Sequence, residues 1–365
     1  MDFSFTEAQQ DLSALAREIL ADRATNERLR EVERGPDRFD RSLWTELAKA
    51  DVLSAALPEA VGGGGFGLLE QCEVLVELGR AVAPVPYLAS IVLGASTLAR
   101  FGSAEQRAWA ERAGRGEVVL TAALAEEGNP DPLRPACRAE RAGDGWVLSG
   151  SKTGVPAGPV ADLVLVPATT PDGPGVFLVE PARIAVERQR VVDSDSEAWL
   201  DLDGAELSAD ALLGGADVLD WLHTRATVGL CAAQLGVAER ALELTAGYAR
   251  EREQFGRAIG SFQAVAQRLA DAFVDVEAIR LTLWQAAWRA AEGLPCAEEV
   301  ATAKFWAAEG GHRVAHTAVH VHGGVGIDMD HHVHRYFVAA KRNEFSLGGA
   351  SAQLGRLGAL LAESA

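Results

Sequence analysis

The last third of the chain carries three alanine-rich helical runs, Thr224–Arg250, Phe262–Ala291 and Ala297–His322. Each is about 25–30 residues long, against the ~11–12 residues of an average globular helix. A helix that long is not held in water by propensity alone. It needs neighbours that cover its apolar face, and an antiparallel bundle supplies them. Pro295 starts the third run, with Ala-Glu-Glu in its first turn.

Two other textures precede the bundle. Residues 4–115 read as helices. The stretch from Ser4 to Gln9 resembles a helix start, with Thr6 as N-cap and the acidic Glu7 and Asp11 favouring the first turns. Leu12, Leu15, Ala16, Ile19 and Leu20 then recur at helical spacing. Gly62-Gly63-Gly64-Gly65 interrupts this pattern. No Lys-Ser/Thr follows it, so it reads as a loop between helices and not as a phosphate loop. Glu70–Gly79 resumes as a helix, and Ala83-Pro-Val-Pro-Tyr is an extended link. Residues 117–205 instead hold short β-branched runs, Val118–Ala123, Gly145–Leu148, Leu163–Val166, Val176–Val179 and Ile184–Val186. Turns such as Ala142-Gly-Asp-Gly and Pro171-Asp-Gly-Pro-Gly separate them, which is the pattern of a small antiparallel barrel or sandwich. The expected fold class is α+β. The expected domains are N-terminal helical (1–116), central β (117–206) and C-terminal helical bundle (207–365).

A net charge of −18 repels phosphate backbones, and no basic patch offsets it, so nucleic acid is excluded as a partner. Cys72, Cys137, Cys231 and Cys296 are scattered without a CxxC, which argues for reduced thiols rather than a disulfide framework or a zinc site. The first residues lack a basic region and an apolar core, and no stretch is long and apolar enough to span a bilayer. A cytoplasmic protein with no membrane partner is expected.

Two segments carry chemistry. Arg252-Glu-Gln-Phe-Gly-Arg-Ala-Ile-Gly-Ser-Phe-Gln263 offers a bidentate fork for a pyrophosphate in Arg252, a ring for stacking on adenine in Phe255, and amides in Gln254 and Gln263. In Gly323-Gly324-Val-Gly326, the first two glycines lack Cβ atoms, so backbone N–H groups can come close to phosphate.

With these segments, the chain resembles the acyl-CoA dehydrogenase family over essentially its whole length. Pro58-Glu59 with the glycine loop, a Trp146–Lys152 hairpin, the Arg252 segment and His334-Arg-Tyr-Phe-Val-Ala-Ala-Lys341 follow one another in family order. The resemblance implies an N-terminal helical domain, a central β domain and a C-terminal four-helix bundle. It implies FAD as cofactor, held by Arg252, Gln254, Phe255, Gln263, His320, Gly323 and Gly324 across a subunit boundary. It implies α,β-desaturation of an acyl-CoA thioester, with electron-transfer flavoprotein as acceptor.

The sequence departs from that family at the chemistry. The family base, a Glu, falls at Leu347 when counted from Lys341, and its alternative position, before an Arg, is Thr224. Glu344 is the one nearby carboxylate and is the candidate base. The family loop that holds the flavin ring is matched only loosely by Ala125-Glu126-Glu-Gly-Asn-Pro. Its Trp-Ile-Thr is replaced by Gly154-Val155-Pro156. Gly154–Asp162 and Ser346-Leu-Gly-Gly-Ala resemble a steroid-catabolic actinobacterial subset in which one chain carries the base and another completes the FAD site. The expectation is thus a subunit without its own base in a heteromeric tetramer. The alternatives are a self-sufficient homo-oligomer using Glu344, a flavin monooxygenase or oxidase of the same fold, and a binding member without flavin. Seven of the eight histidines lie between His312 and His334. His312, His316 and His320 form one helical stripe with no carboxylate or cysteine on it, so no metal is expected. His331-His332 reads as a solvated loop.

Overall fold

The computed structural model describes residues 5–363; Ser4, where the helix-start stretch begins, lies outside them. Six helices open the chain: α1 (Glu7–Arg23), α2 (Asn26–Glu33), α3 (Arg41–Lys49), α4 (Leu68–Arg80), α5 (Ser96–Phe101) and α6 (Ala104–Gly114). Thr6 caps α1 as expected, and Gln9 completes a capping box with it. The glycine run is a loop. A Cβ on Gly63 would stand 2.0 Å from the Leu57 carbonyl oxygen, so the loop presses on backbone that no side chain could approach. A π-helical stretch, Leu88–Ala95, buried from Ala89 onward, leads into α5.

Ten strands follow: β1 (Leu120–Ala122), β2 (Arg138–Ala142), β3 (Gly145–Ser149), β4 (Ser151–Pro156), β5 (Leu163–Thr170), β6 (Gly173–Val179), β7 (Ala185–Arg190), β8 (Ser196–Asp201), β9 (Ala205–Leu207) and β10 (Leu212–Gly214). The larger sheet runs β10-β6-β5-β2-β3-β9 with β1 on β5, and the smaller is β4-β8-β7. Both share one apolar core that includes Trp146, Leu148, Val164, Val166, Phe177, Ala198 and Leu200. The arrangement is a sandwich, but not a purely antiparallel one: β1 and β2 each pair with β5 in parallel. The expected Trp146–Lys152 hairpin is not formed. At Gly150 (φ 110) the chain leaves the larger sheet for the smaller, where β4 pairs with β8. Hairpins do form at Gly143-Asp144, at Pro171-Asp172 and, between β7 and β8, across residues 191–195.

The C-terminal helices are α7 (Ala216–Glu251), α8 (Gln263–Ala291), α9 (Ala297–His322), α10 (Val333–Phe345) and α11 (Ala350–Glu363). Between α7 and α8 sits a two-strand ribbon, β11 (Glu253–Gln254) and β12 (Arg257–Ala258). Helix α9 is the centre of the bundle, since α8, α10 and α11 all lie against it. It begins at Ala297, with Cys296 rather than Pro295 at its cap.

The chain forms two compact units. One comprises the described residues up to Asn26, Cys72–Ala83 and Thr227 onward; the other comprises Glu27–Gln71 and Pro84–Ala226. In the first, α4 and α7 touch backbone to backbone: a Cβ on Gly236 would lie 1.9 Å from the Val76 carbonyl oxygen, and one on Gly79 would lie 2.1 Å from that of Ala233. Among the described residues no helix is long and apolar enough to cross a membrane.

Candidate functional site

The Arg252 segment is a built feature. Strands β11 and β12 pair as Gln254↔Arg257, which leaves Phe255 and Gly256 as a two-residue loop. Both have positive φ, 54° and 76°, as a type I′ turn demands. Glycine takes that conformation freely, whereas an aromatic residue is strained in it. Phe255 is nonetheless 93% exposed. The turn therefore holds a large ring out in solvent at a conformational cost, with only an edge contact to Phe262 at 6.1 Å. Arg252 is exposed, and its guanidinium has no ion-pair partner among the described residues. Its amide donates to the Tyr248 carbonyl at 2.8 Å, which ties it to the last turn of α7. Gln254 and Gln263 are exposed, and Gln263 opens α8.

The glycine loop begins where α9 stops. Gly323 has φ 63 and ψ −138, a conformation open in practice to glycine alone. A Cβ on Gly323 or Gly324 would meet no atom within 4 Å, so an incoming group can reach this backbone. His320 is exposed on the last turn of α9. A free fork, an outward ring and accessible glycine backbone fit the diphosphate and adenine of a dinucleotide.

Glu344 lies elsewhere in the same unit and is engaged. Lys341 Nζ donates to its Oε2 at 2.6 Å, and His312 Nδ1 lies 3.1 Å from the same oxygen. Burial pushes this carboxyl up, but the bonds from Lys341 and His312 outweigh it and hold it below the ordinary range. Its partners are thus His312 on α9 and Lys341 on α10. The histidine stripe does meet a carboxylate, from α10, although no three possible metal ligands converge among the described residues. Leu347 follows α10 in a left-handed conformation (φ 58), and Gln353 Nε2 donates to its carbonyl at 2.9 Å. Thr224 is half-buried on α7. The neighbouring Arg225 covers the Trp221 ring at 4.2 Å.

In the β-containing unit, Glu126 and Lys152 form a buried ion pair at 2.7 Å, with side chains 4% and 1% exposed. Glu126 also accepts from the Cys137 amide and from Asn129 Nδ2. Burial opposes its charge, yet Lys152 and these donors bring its pKa down to about 2. The loosely matching loop is thus anchored by its acidic residue. Beside it, the Gly154 (φ 56) amide donates to Gln189 Oε1, and no aromatic side chain stands in its place.

Three groups escaped sequence reasoning. Lys304 is fully buried and donates to the carbonyls of Asn343 and Glu344, each at 3.1 Å, capping α10. Burial brings its pKa down to about 8. Tyr248 stacks on His322, with ring centroids 4.4 Å apart. His331 and His332 are not a solvated pair: both are half-buried and stack at 4.3 Å, and burial, with neighbouring positive charge, brings His332 down to about 4. An i,i+4 pattern reveals the first histidine stripe, but no local pattern brings residue 248 to residue 322.

Comparison with known proteins places this architecture. The family model for the acyl-CoA dehydrogenase N-terminal domain matches residues 6–117, and that for the C-terminal domain matches residues 214–361. "Acyl-CoA dehydrogenase FadE27" of Mycobacterium tuberculosis is 53% identical over 100% of both chains. A chain in the crystal structure of the ChsE4-ChsE5 complex from Mycobacterium tuberculosis superposes with a TM-score of 0.96 at 54% identity, covering 100% of this chain and 99% of that one. A chain from a variant of the Tcur3481-Tcur3483 steroid ACAD gives 0.94 at 46% identity, with 98% of each covered. The chain belongs to the acyl-CoA dehydrogenase family.

Proposed function

We propose that this chain is the half-site subunit of an FAD-dependent acyl-CoA dehydrogenase. It holds the ADP end of FAD while a second dehydrogenase chain supplies the base. The observation that carries the reading is the Arg252–Arg257 ribbon, a strained turn that keeps a nearly naked phenylalanine beside an unpaired guanidinium. Arg252 would fork onto the diphosphate, Phe255 would stack on adenine, and Gln254, Gln263 and His320 would add hydrogen bonds. The Gly323-Gly324 backbone would close on phosphate oxygens. The flavin, when bound, accepts the β-hydrogen of the acyl chain as hydride.

The α-proton needs a carboxylate that is free to accept it. Glu344 is already bonded by Lys341 and His312 and is held as a weak base. Leu347 and Thr224 carry no carboxylate. We therefore assign proton removal to the partner. The two solved relatives, ChsE4-ChsE5 and Tcur3481-Tcur3483, are each named as a pair of proteins, which supports a heteromer, and the one called a steroid ACAD supports a steroid-derived acyl-CoA as substrate. The proposed acceptor is electron-transfer flavoprotein. The proposed site is the cytoplasm, where the four cysteines, none of them in a disulfide, would stay reduced.

The test is to purify the chain alone and together with a second dehydrogenase subunit encoded beside it. The pair should be yellow and active, and the lone chain should not desaturate acyl-CoA. A lone chain with stoichiometric FAD and turnover would overturn the partner assignment. In the pair, Glu344→Gln should leave kcat within about twofold, whereas removal of a true general base costs about 10²-fold or more.

A further inference from the structure

The two segments assigned to FAD are far apart in sequence, yet their anchors touch. Tyr248 lies in the last turn of α7, and its carbonyl takes the amide of Arg252 at 2.8 Å. His322 is the last residue of α9, immediately before Gly323. The two rings stack with centroids 4.4 Å apart and planes inclined by 22°.

The histidine of this pair is fixed in every degree of freedom that matters. It is 5% exposed. Its Nδ1 lies 2.8 Å from the Ala318 carbonyl oxygen, so Nδ1 carries the proton and the ring cannot rotate away. His331 also approaches this ring, with centroids 5.8 Å apart, and continues into the His331–His332 stack. The intervening loop is pressed flat on the end of α9: a Cβ on Gly326 would stand 2.9 Å from both Cα and O of Val319. The glycine loop is thus clasped from below by its own helix and from the side by rings, and the outermost ring belongs to the turn that carries Arg252.

We infer that Tyr248 and His322 are positioning residues for FAD, setting the separation between the Arg252 fork and the Gly323-Gly324 backbone. Neither touches the cofactor in this assignment. Each acts through its chain neighbour, and the inference rests on the FAD assignment of those neighbours. A fork and a glycine loop that hold one diphosphate together must keep a fixed distance, because a small displacement of one breaks the hydrogen bonds of the other. Packing on α9 fixes the loop at Gly326, but at Gly323 and Gly324 the backbone has no such support, since a Cβ there would meet nothing within 4 Å. The ring stack removes that freedom before the ligand arrives, which lowers the ordering cost of binding.

The experiment uses the FAD-containing assembly this chain forms, stripped of flavin and titrated with FAD by fluorescence. Apo-protein thermal unfolding is recorded alongside. Tyr248→Leu and His322→Gln should each raise the FAD Kd by about tenfold with little change in apo-protein Tm. Tyr248→Phe, which keeps the ring, should restore binding to within about twofold. Arg252→Ala is the control for the assignment beneath. If it weakens FAD while Tyr248→Leu and His322→Gln bind as the parent does, the positioning role is wrong and the clamp stands. If Arg252→Ala binds FAD unchanged, the clamp itself is wrong. If the two variants lose FAD only in step with apo-protein Tm, the rings are ordinary packing and the inference fails.

Discussion

Two residues show how this chain trades stability against function. Phe255 sits at φ 54 with 93% of its surface exposed, so it gains little burial for its left-handed backbone. A left-handed non-glycine residue costs ~1–2 kcal/mol. Phe255→Gly removes that strain, partly offset by the added entropy of glycine in the unfolded chain. Apo-protein Tm should therefore hold or rise while FAD affinity falls severalfold, as titration and calorimetry would read. A clear loss of Tm would mean that the Phe262 contact matters more than the strain. Glu73 on α4 is the second. Burial, with Glu77 and Glu239 adding to it, brings its pKa up to about 7 against the opposing Ser13 hydrogen bond and Arg17 charge. The folded state thus favours the neutral acid. Its contribution is complete below the unfolded value near 4.5 and is lost as pH rises through about 7. Glu73→Gln should match the parent at pH 4.5 and exceed its Tm at pH 8. A Tm gap that does not grow across that interval would rule out Glu73 as the titrating group.

At the scale of elements, the crossing of α4 and α7 depends on absent side chains. Gly236 and Gly79 each face a carbonyl of the other helix, at 1.9 and 2.1 Å from where a Cβ would stand. Real Cβ atoms do not come that close, so Gly236→Ala must push the helices apart along α4. Overpacking of a tight core costs ~1–3 kcal/mol or more. The unfolding free energy read from a urea titration should drop by that amount despite the gain in helix propensity, and a stabilised variant would show that the helices separate freely. The bundle itself was legible, because long 3.6-residue periodicity depends on nothing beyond the helix. The helical character of Leu88–Phe101 was legible too, but its π-helical geometry over Leu88–Ala95 was not, because that run is apolar almost throughout and leaves no periodic stripe. Strand β2 reads Arg-Ala-Glu-Arg-Ala and buries only Ala139, so its charges concealed a strand held by its neighbours. Gly150 looked like a hairpin turn because sequence shows that the chain bends there, while the sheet it enters is decided by β8, far downstream. The site divides the same way. The Arg252 and Gly323 motifs could be read from residue types, whereas the Tyr248–His322 stack and the Lys341–Glu344–His312 cluster exist only once α7, α9 and α10 are side by side.

The distribution of exposed apolar surface bears on the whole molecule. Twelve of the fifteen large apolar side chains exposed among the described residues lie between Phe255 and Leu361, so the excess belongs to the C-terminal helices and their connections. Val274, Leu281 and Trp288 recur every seven residues on α8, and Leu354 and Leu361 do so on α11. A seven-residue repeat keeps side chains on one face of a helix, and an apolar face left open in water invites a second protein. The charge of −18 does not oppose this, because salt screens it beyond about 8 Å while apolar contact acts at the surface. The expected occupant is the second dehydrogenase subunit, whose like-folded bundle can present a matching helix face. Replacing Leu281 and Trp288 together by Glu places two charges in that contact without disturbing the core, since the side chains are 67% and 41% exposed. Light scattering of the co-expressed pair should then show smaller species, with helix content and the Tm of the lone chain unchanged. An intact assembly carrying both substitutions would place the partner on another face and leave the α8 stripe without a role.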